Sequence, residues 1–304
     1  MAQIDTLEPG CWVSLVKPTE DELRSVCNAL DIEDEYVRAA LDEEETSRLE
    51  VDEEQTLIIA DIPVSDEENG KLMFTTLPFG MIITRDNVVT VSLRENPILS
   101  DFAAGRGGKG VNTALKNRLV LQILLRAANR YLIDLRQIDK MSSRVERELY
   151  KSLKNKELIQ LLTLEKSLVY FSTSLKSTEA TLEKLLRGRI LKFSEEDQEL
   201  LEDVIIEFKQ AIEMADIYSS ILSGTMDAFA SVISNNLNII MKVLTVITIL
   251  MTVPNVVFSF YGMNTDLPVF SLFGTSVPTY WLPIALAVVC TGASWLFMKK
   301  RNLL

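Results

Sequence analysis

The chain has 304 residues, 47% of them apolar, and a formal net charge of −12, a length that accommodates two domains. Residues 241 to 304 hold only Lys242, Asp266, Lys299, Lys300 and Arg301, a balance of +3, which leaves −15 for residues 1 to 240. So acidic a body excludes nucleic acid as the expected partner and favours cations. The absence of His and the three scattered cysteines, Cys11, Cys27 and Cys290, exclude a zinc-type site or a disulfide framework.

Met1 to Gly10 contains no apolar h-region, so no signal peptide is expected. From Cys11 the chain alternates short strand and helix signals. Cys11 to Val16 reads as a strand, and Thr19 to Leu30 and Glu33 to Leu41 read as helices entered through acidic first turns. Leu57 to Ile62, Leu72 to Leu77, Gly80 to Thr84 and Val88 to Leu93 read as strands, with Asn69-Gly70 and Asp86-Asn87 as turns. Residues 1 to 110 are therefore expected to form an α/β domain with a largely antiparallel sheet.

Gly105 to Gly110 resembles a phosphate loop only superficially. Gly110 rather than Ser or Thr follows Lys109, and no clear strand leads in. It reads as a linker, and no nucleotide is expected.

From Thr113 onward the pattern is helical. Leu119, Ile123, Ala127, Tyr131 and Leu135 keep helical spacing, a second helix covers about Asn155 to Leu186, and a break follows at Gly188 to Ser194. Ser194 with Asp197 three residues on has the form of a helix start. No Pro lies between Pro97 and Pro254, so a single helix from Glu195 to about Tyr261 is expected. At 1.5 Å per residue its length is on the order of 100 Å, that of a stalk. Residues 111 to 240 are assigned to this helical and stalk region.

Two apolar stretches, Val243 to Phe260 and Trp281 to Met298, are each long enough to cross most of a hydrocarbon core of roughly 30 Å. They give a first span at 241 to 261, a loop at 262 to 279, a second span at 280 to 298 and a basic tail at 299 to 304. The basic residues flank the spans while the linker has one Asp, so both termini are expected in the cytoplasm of a multi-pass protein of the inner or plasma membrane.

The first span carries a stripe. Steps of three or four residues from Glu213 reach Ile217, Ser220, Gly224, Asp227, Ser231, Ser234, Asn238, Met241, Thr245, Thr248, Thr252, Asn255, Ser259 and Gly262. Nearly all are polar or small, and the remaining positions of the span are nearly all Val, Ile, Leu, Met or Phe. Helices in a bundle turn such a seam toward one another. A seam this polar reads as wet, which implies a pore lined by copies of the same helix. The competing reading is that Ser and Thr back-bond to carbonyls and let spanning helices pack closely.

A Tyr261-Gly262-Met263-Asn264 run at the outer end of the first of two C-terminal spans, a basic C-terminus and an acidic α/β domain feeding a stalk together resemble the CorA magnesium transporters. The resemblance covers essentially the whole chain. It implies a funnel-shaped homopentamer with the pore on its axis, and Gly262, Met263 and Asn264 as the external selectivity filter. Neutral amide and carbonyl oxygens there suit an ion that sheds its waters reluctantly. It further implies Asn238, Met241 and Leu244 as inner pore and hydrophobic gate, with Asp227 as an acidic ring below. Thr248 and Thr252 stand where members can carry apolar residues, so the dry constriction here is confined to Met241 and Leu244.

Members also bind regulatory magnesium between neighbouring cytoplasmic domains. Asp203 matches one carboxylate of that site, but its partner position is Ala39. Asp42 or Glu43, close beyond, is the available substitute; the run Asp42 to Glu45 equally reads as a solvated face. The function implied is passive uptake of a divalent cation, mainly Mg2+ and with Co2+ as a second candidate, gated by cytoplasmic Mg2+. The alternatives are a Co2+, Ni2+ or Zn2+ transporter on the same scaffold, or a membrane-anchored coiled-coil scaffold. No enzyme is expected, since no nucleophile and base pair, metal constellation or nucleotide loop is legible.

Overall fold

The structure is a computed structural model and describes residues 8–52, 54–68, 71–106, 111–152, 155–188, 191, 193–262, 271–272, 275–276 and 281–301. The chain divides into two compact units, Met1–Met226 and Asp227–Leu304.

The first unit opens with β1 (Trp12–Val16), α1 (Glu20–Leu30) and α2 (Asp34–Ala39). The first of these helices starts sharply because Thr19 and Glu22 bond reciprocally, Thr19 N to Glu22 Oε2 at 2.8 Å and Glu22 N to Thr19 Oγ1 at 3.4 Å, which satisfies two N–H groups that a helix end leaves orphaned. It ends on Asp31 in the left-handed region at φ 52. Next come β2 (Arg48–Val51), β3 (Thr56–Glu68), β4 (Lys71–Ile83) and β5 (Val88–Ser92). They form a five-stranded sheet in the order β1-β5-β4-β3-β2, in which β1 pairs parallel to β5 and every other pairing is antiparallel. The expected α/β domain with a largely antiparallel sheet is therefore present.

Two elements of this unit were not anticipated, β2 and the helix α3 (Pro97–Ala103). The expected strands Leu72–Leu77 and Gly80–Thr84 are one strand, β4. Pro78 lacks an N–H and so reads as a strand end, yet it sits within the ladder opposite Asp61. The Asn69-Gly70 turn and residues 107–110 of the glycine-rich linker lie outside the described residues.

A core of Leu23, Val26, Val37 and Ala40 from the helical side packs with Leu57, Ile59, Ile82, Val89 and Val91 of the sheet. Close approach sets one glycine here, because a Cβ on Gly80 would run into the Ala40 Cβ.

Three long helices complete the architecture, α4 (Lys116–Ser152), α5 (Asn155–Gly188) and α6 (Glu195–Tyr261). The helical spacing of Leu119, Ile123, Ala127, Tyr131 and Leu135 is a core stripe, each residue 1% exposed or less. Ser194 Oγ accepts the Asp197 N–H at 3.2 Å, so the expected start of α6 is where the structure places it. Tyr131 of α4 meets Phe171 of α5 and Phe208 of α6 with ring centroids 5.0 and 6.3 Å apart.

Because β2 reaches only as far as the Arg48–Ile59 pair, β3 has no strand beside it among the described residues from Ala60 onward on that side. Helix side chains satisfy its backbone instead. Thr178 Oγ1 accepts the Asp61 N–H at 3.3 Å, and the Asp61 carbonyl accepts the Tyr131 hydroxyl at 3.2 Å. Ser167, Ser174 and Thr181 of α5 extend this buried hydroxyl seam to Phe74 N, Thr76 Oγ1 and Ser47 O.

The second unit contains the end of α6, an antiparallel pair of two-residue strands, β6 (Ser271–Leu272) and β7 (Thr275–Ser276), and α7 (Trp281–Lys300). Among the described residues one helix, Glu195–Tyr261, is long and apolar enough to cross a membrane. In α7, 20 residues long, Lys299 and Lys300 are the only charged residues.

Candidate functional site

The two sides of α6 between Asn238 and Tyr261 differ. At about 100° per residue, Asn238, Met241, Thr245, Thr248, Thr252 and Asn255 fall within roughly one third of the circumference, and all are exposed. Leu244, at the margin of that arc, is 56% exposed and Met241 53%. The opposite side carries Val246, 6% exposed, and Leu250, Pro254 and Phe258, which line an apolar groove together with α7. Thus α7 flanks the apolar side and leaves the polar stripe uncovered within the chain.

The stripe has a defined hydrogen-bonding character. Thr245 Oγ1 donates to the Met241 carbonyl at 2.8 Å, Thr248 to Leu244 at 2.8 Å and Thr252 to Thr248 at 2.7 Å. Each hydroxyl proton is consumed by the helix itself, so the outward lone pairs of three oxygens remain as acceptors. Such oxygens accept from the outward-pointing hydrogens of a hydrated cation's water shell. Back-bonding of this kind is equally what close helix packing uses, so the hydrogen bonds alone do not separate pore from seam.

Of the expected filter, Gly262 is described; Met263 and Asn264 lie outside the described residues. Gly262 closes α6, its N–H donating to Phe258 O at 2.9 Å, and a Cβ there would come within 3.1 Å of that same carbonyl oxygen. Asp227 is exposed.

Asp203 on α6 and Asp42 and Glu43 in the α2–β2 connection are exposed. Asp42 is partly engaged, because its Oδ1 accepts the Glu44 N–H at 3.0 Å. Glu45 pairs with Arg48 at 2.8 Å, so the acidic run is not uniformly free. Among the described residues no group of three or more acidic or cysteine side chains is placed to hold a metal ion.

Ion pairs tie α6 to its neighbours within the first unit. Arg118 of α4 reaches Glu196 at 2.8 Å, and Lys209 bridges Glu183 at 2.9 Å and Glu179 at 3.3 Å. Asp216 accepts from Ser172 and Lys176 of α5, and these bonds, Ser172 first, hold its carboxyl below the ordinary range.

Two carboxylates escaped the sequence reading. Asp61 is 8% exposed with Oδ1 unpartnered among the described residues, and burial pushes its pKa up against a bond from Ser174. Asp134 is fully buried, and although Arg130 lies 3.1 Å from its Oδ2, burial outweighs that pull and raises its pKa too. Its Oδ1 is likewise unpartnered among the described residues. In sequence each looks like an ordinary surface aspartate; only the three-dimensional closure of β3 and α4 against other elements buries it.

Comparison with known proteins comes to the same architecture. A family profile described as "CorA-like Mg2+ transporter protein" matches residues 8–300. The cobalt/magnesium transport protein CorA of Methanocaldococcus jannaschii is 29% identical over 288 residues, covering 91% of this chain and 86% of that protein. The complete structure of the CorA magnesium transporter from the same organism superposes with a TM-score of 0.81 at 26% identity, covering 95% of this chain and 89% of that one. The full-length CmaX protein shares the fold at a TM-score of 0.72 and 17% identity, covering 99% and 92%.

Proposed function

The chain belongs to the family of CorA-like Mg2+ transporter proteins, and on that footing we propose that it is a passive channel for divalent cations, chiefly Mg2+, gated by cytoplasmic Mg2+. The observation that carries this reading is the exposed acceptor stripe of α6, set opposite the side that α7 flanks. One such helix cannot enclose a pore, so the functional unit is a homo-oligomer, a pentamer by family resemblance, with α6 innermost and α7 as the outer, lipid-facing span. Both termini are cytoplasmic, and Gly262, Met263 and Asn264 form the external filter.

Conduction then needs no nucleotide. A membrane potential contributes about 2.3 kcal/mol per charge per 100 mV, so a divalent ion gains roughly 4.6 kcal/mol, a gradient on the order of a thousandfold. Closure follows from linkage: Mg2+ bridging subunits through Asp203 and Asp42 or Glu43 favours the closed state by its differential affinity. Depletion leaves the −15 charge of residues 1 to 240 to repel between copies. Co2+ is a second cargo on this reading, supported by the name of the M. jannaschii relative.

The test is Mg2+ uptake into liposomes carrying the purified protein, with and without Mg2+ inside, alongside Asn264→Ala. Flux that collapses in the variant and falls with internal Mg2+ supports the proposal. An Asn264→Ala protein that conducts like its parent removes the filter assignment, and absence of flux in every condition favours the scaffold reading.

A further inference from the structure

The apolar groove between α6 and α7 ends at Trp295, one turn before the basic run Lys299, Lys300 and Arg301. It has a volume of about 530 Å³ and is lined by, among others, Leu250, Pro254 and Phe258 of α6 and Ile284, Gly292 and Trp295 of α7. From Ile284 to Trp295 the helix rises roughly 16 Å, about half of a 30 Å hydrocarbon core and so about one leaflet deep. Trp295, at the end of this run, also carries the Lys299 Nζ 5.1 Å from its ring centroid. Arg301 lies 5.8 Å from the Phe297 ring one turn along in the same manner. Lys299, Lys300 and Arg301 are all exposed, and no acidic residue occurs between Leu250 and Phe258 or within α7.

We propose that this groove binds an anionic phospholipid of the cytoplasmic leaflet, one acyl chain lying along it past Gly292 and the phosphate meeting Lys299, Lys300 and Arg301. The proposal rests on the two-span reading, which sets Trp295 at the interface and the cations at headgroup depth. Charge complementarity selects the occupant. An anionic headgroup neutralises these cations, whereas a zwitterionic lipid brings no net charge to do so. Removing each cation is expected to weaken the preference roughly fivefold.

The measurement is quenching of Trp295 fluorescence by acyl-brominated lipid. The full chain carrying Trp281→Phe is reconstituted in phosphatidylcholine vesicles that contain a minor fraction of brominated phosphatidylglycerol or, in parallel, brominated phosphatidylcholine. Further substitution of Trp295→Phe gives the background from Trp12. The expected result is several-fold stronger quenching by the anionic lipid at equal fraction. Combined Lys299→Gln, Lys300→Gln and Arg301→Gln removes the preference. Gly292→Leu, where a Cβ meets nothing within 4 Å, fills the groove and lowers quenching by both lipids. Equal quenching by the two lipids overturns the proposal, as does absence of quenching in protein that resists alkaline carbonate extraction, which marks a groove closed by another copy. Release by carbonate overturns the spanning reading and the site with it.

Discussion

The Tyr131 hydroxyl donates to the backbone carbonyl of Asp61 across 3.2 Å, joining α4 to the point where β3 has passed the end of its β2 partner while still paired with β4. The same ring is packed between Phe171 and Phe208, so one side chain holds the sheet and all three long helices. Tyr131→Phe keeps the ring and strands a buried carbonyl. The expected cost is about 1–3 kcal/mol, read as a lower Tm of the detergent-solubilised full chain; an unchanged Tm would mean that water or another donor already serves Asp61.

The buried carboxyls give a pH dependence whose sign follows from burial. Asp61 and Asp134 have folded pKa values raised above the ordinary 3.8, so their stabilising contribution is fully present below about 3.8 and is lost as pH rises through the folded values. The exposed Glu20 and Asp216 and the half-buried Asp101 are shifted down by their partners and act oppositely, but solvent screening makes them weak. Tm is therefore expected to fall as pH rises above about 3.8, and Asp61→Asn combined with Asp134→Asn flattens that slope. A slope identical in parent and variant would assign it to other groups.

Gly80 is fixed by its neighbour rather than by its own backbone. Gly80→Ala drives a methyl into the fully buried Ala40 Cβ, and such overpacking typically costs about 1–3 kcal/mol. Thermal or urea unfolding checks it, and Ala40→Gly in the same chain is expected to restore much of the loss by opening the space.

The long helices and the start of α6 were legible because their signals are local and repeated: core spacing from Leu119 to Leu135, Ser194 ahead of Asp197, and a proline-free run up to Pro254. Strand β2 was not, since Arg48–Val51 is four residues long and only one strand neighbour defines it. Pro78 hid the continuity of β4, because its missing N–H matters only in a ladder whose register the sequence does not display. The polar stripe was legible as a pattern. The back-bonding of its threonines to carbonyls four residues earlier was also legible, as the competing reading; which residues of the arc stay uncovered by α7 was not, since that depends on how the two helices pack.

Thr248→Val and Thr252→Val separate the acceptor stripe from a packing seam. Valine matches threonine in shape but removes the outward oxygen. Together they are expected to lower Mg2+ flux into liposomes on the order of tenfold, the equivalent of about 1.4 kcal/mol, while the oligomer stays intact on size exclusion. Serine at both positions keeps the acceptors and retains most of the flux. Equal flux in the valine and serine variants would indicate that the hydroxyls serve only to let helices approach.

The gate prediction concerns Leu244, 56% exposed beside the stripe and one turn before Thr248. With threonines above it, the dry part of the proposed pore is short, Met241 and Leu244 alone, and a short apolar constriction closes by dewetting. Leu244→Asn supplies polar groups at that level and holds water there, so flux is expected to persist at internal Mg2+ concentrations that silence the parent, with transport at low internal Mg2+ little changed. Leu244→Ile, which keeps the constriction apolar, is expected to close normally. If Leu244→Asn closes as the parent does, the seal lies elsewhere, and the level of Asp227 and Asn238 below it is the next place to test.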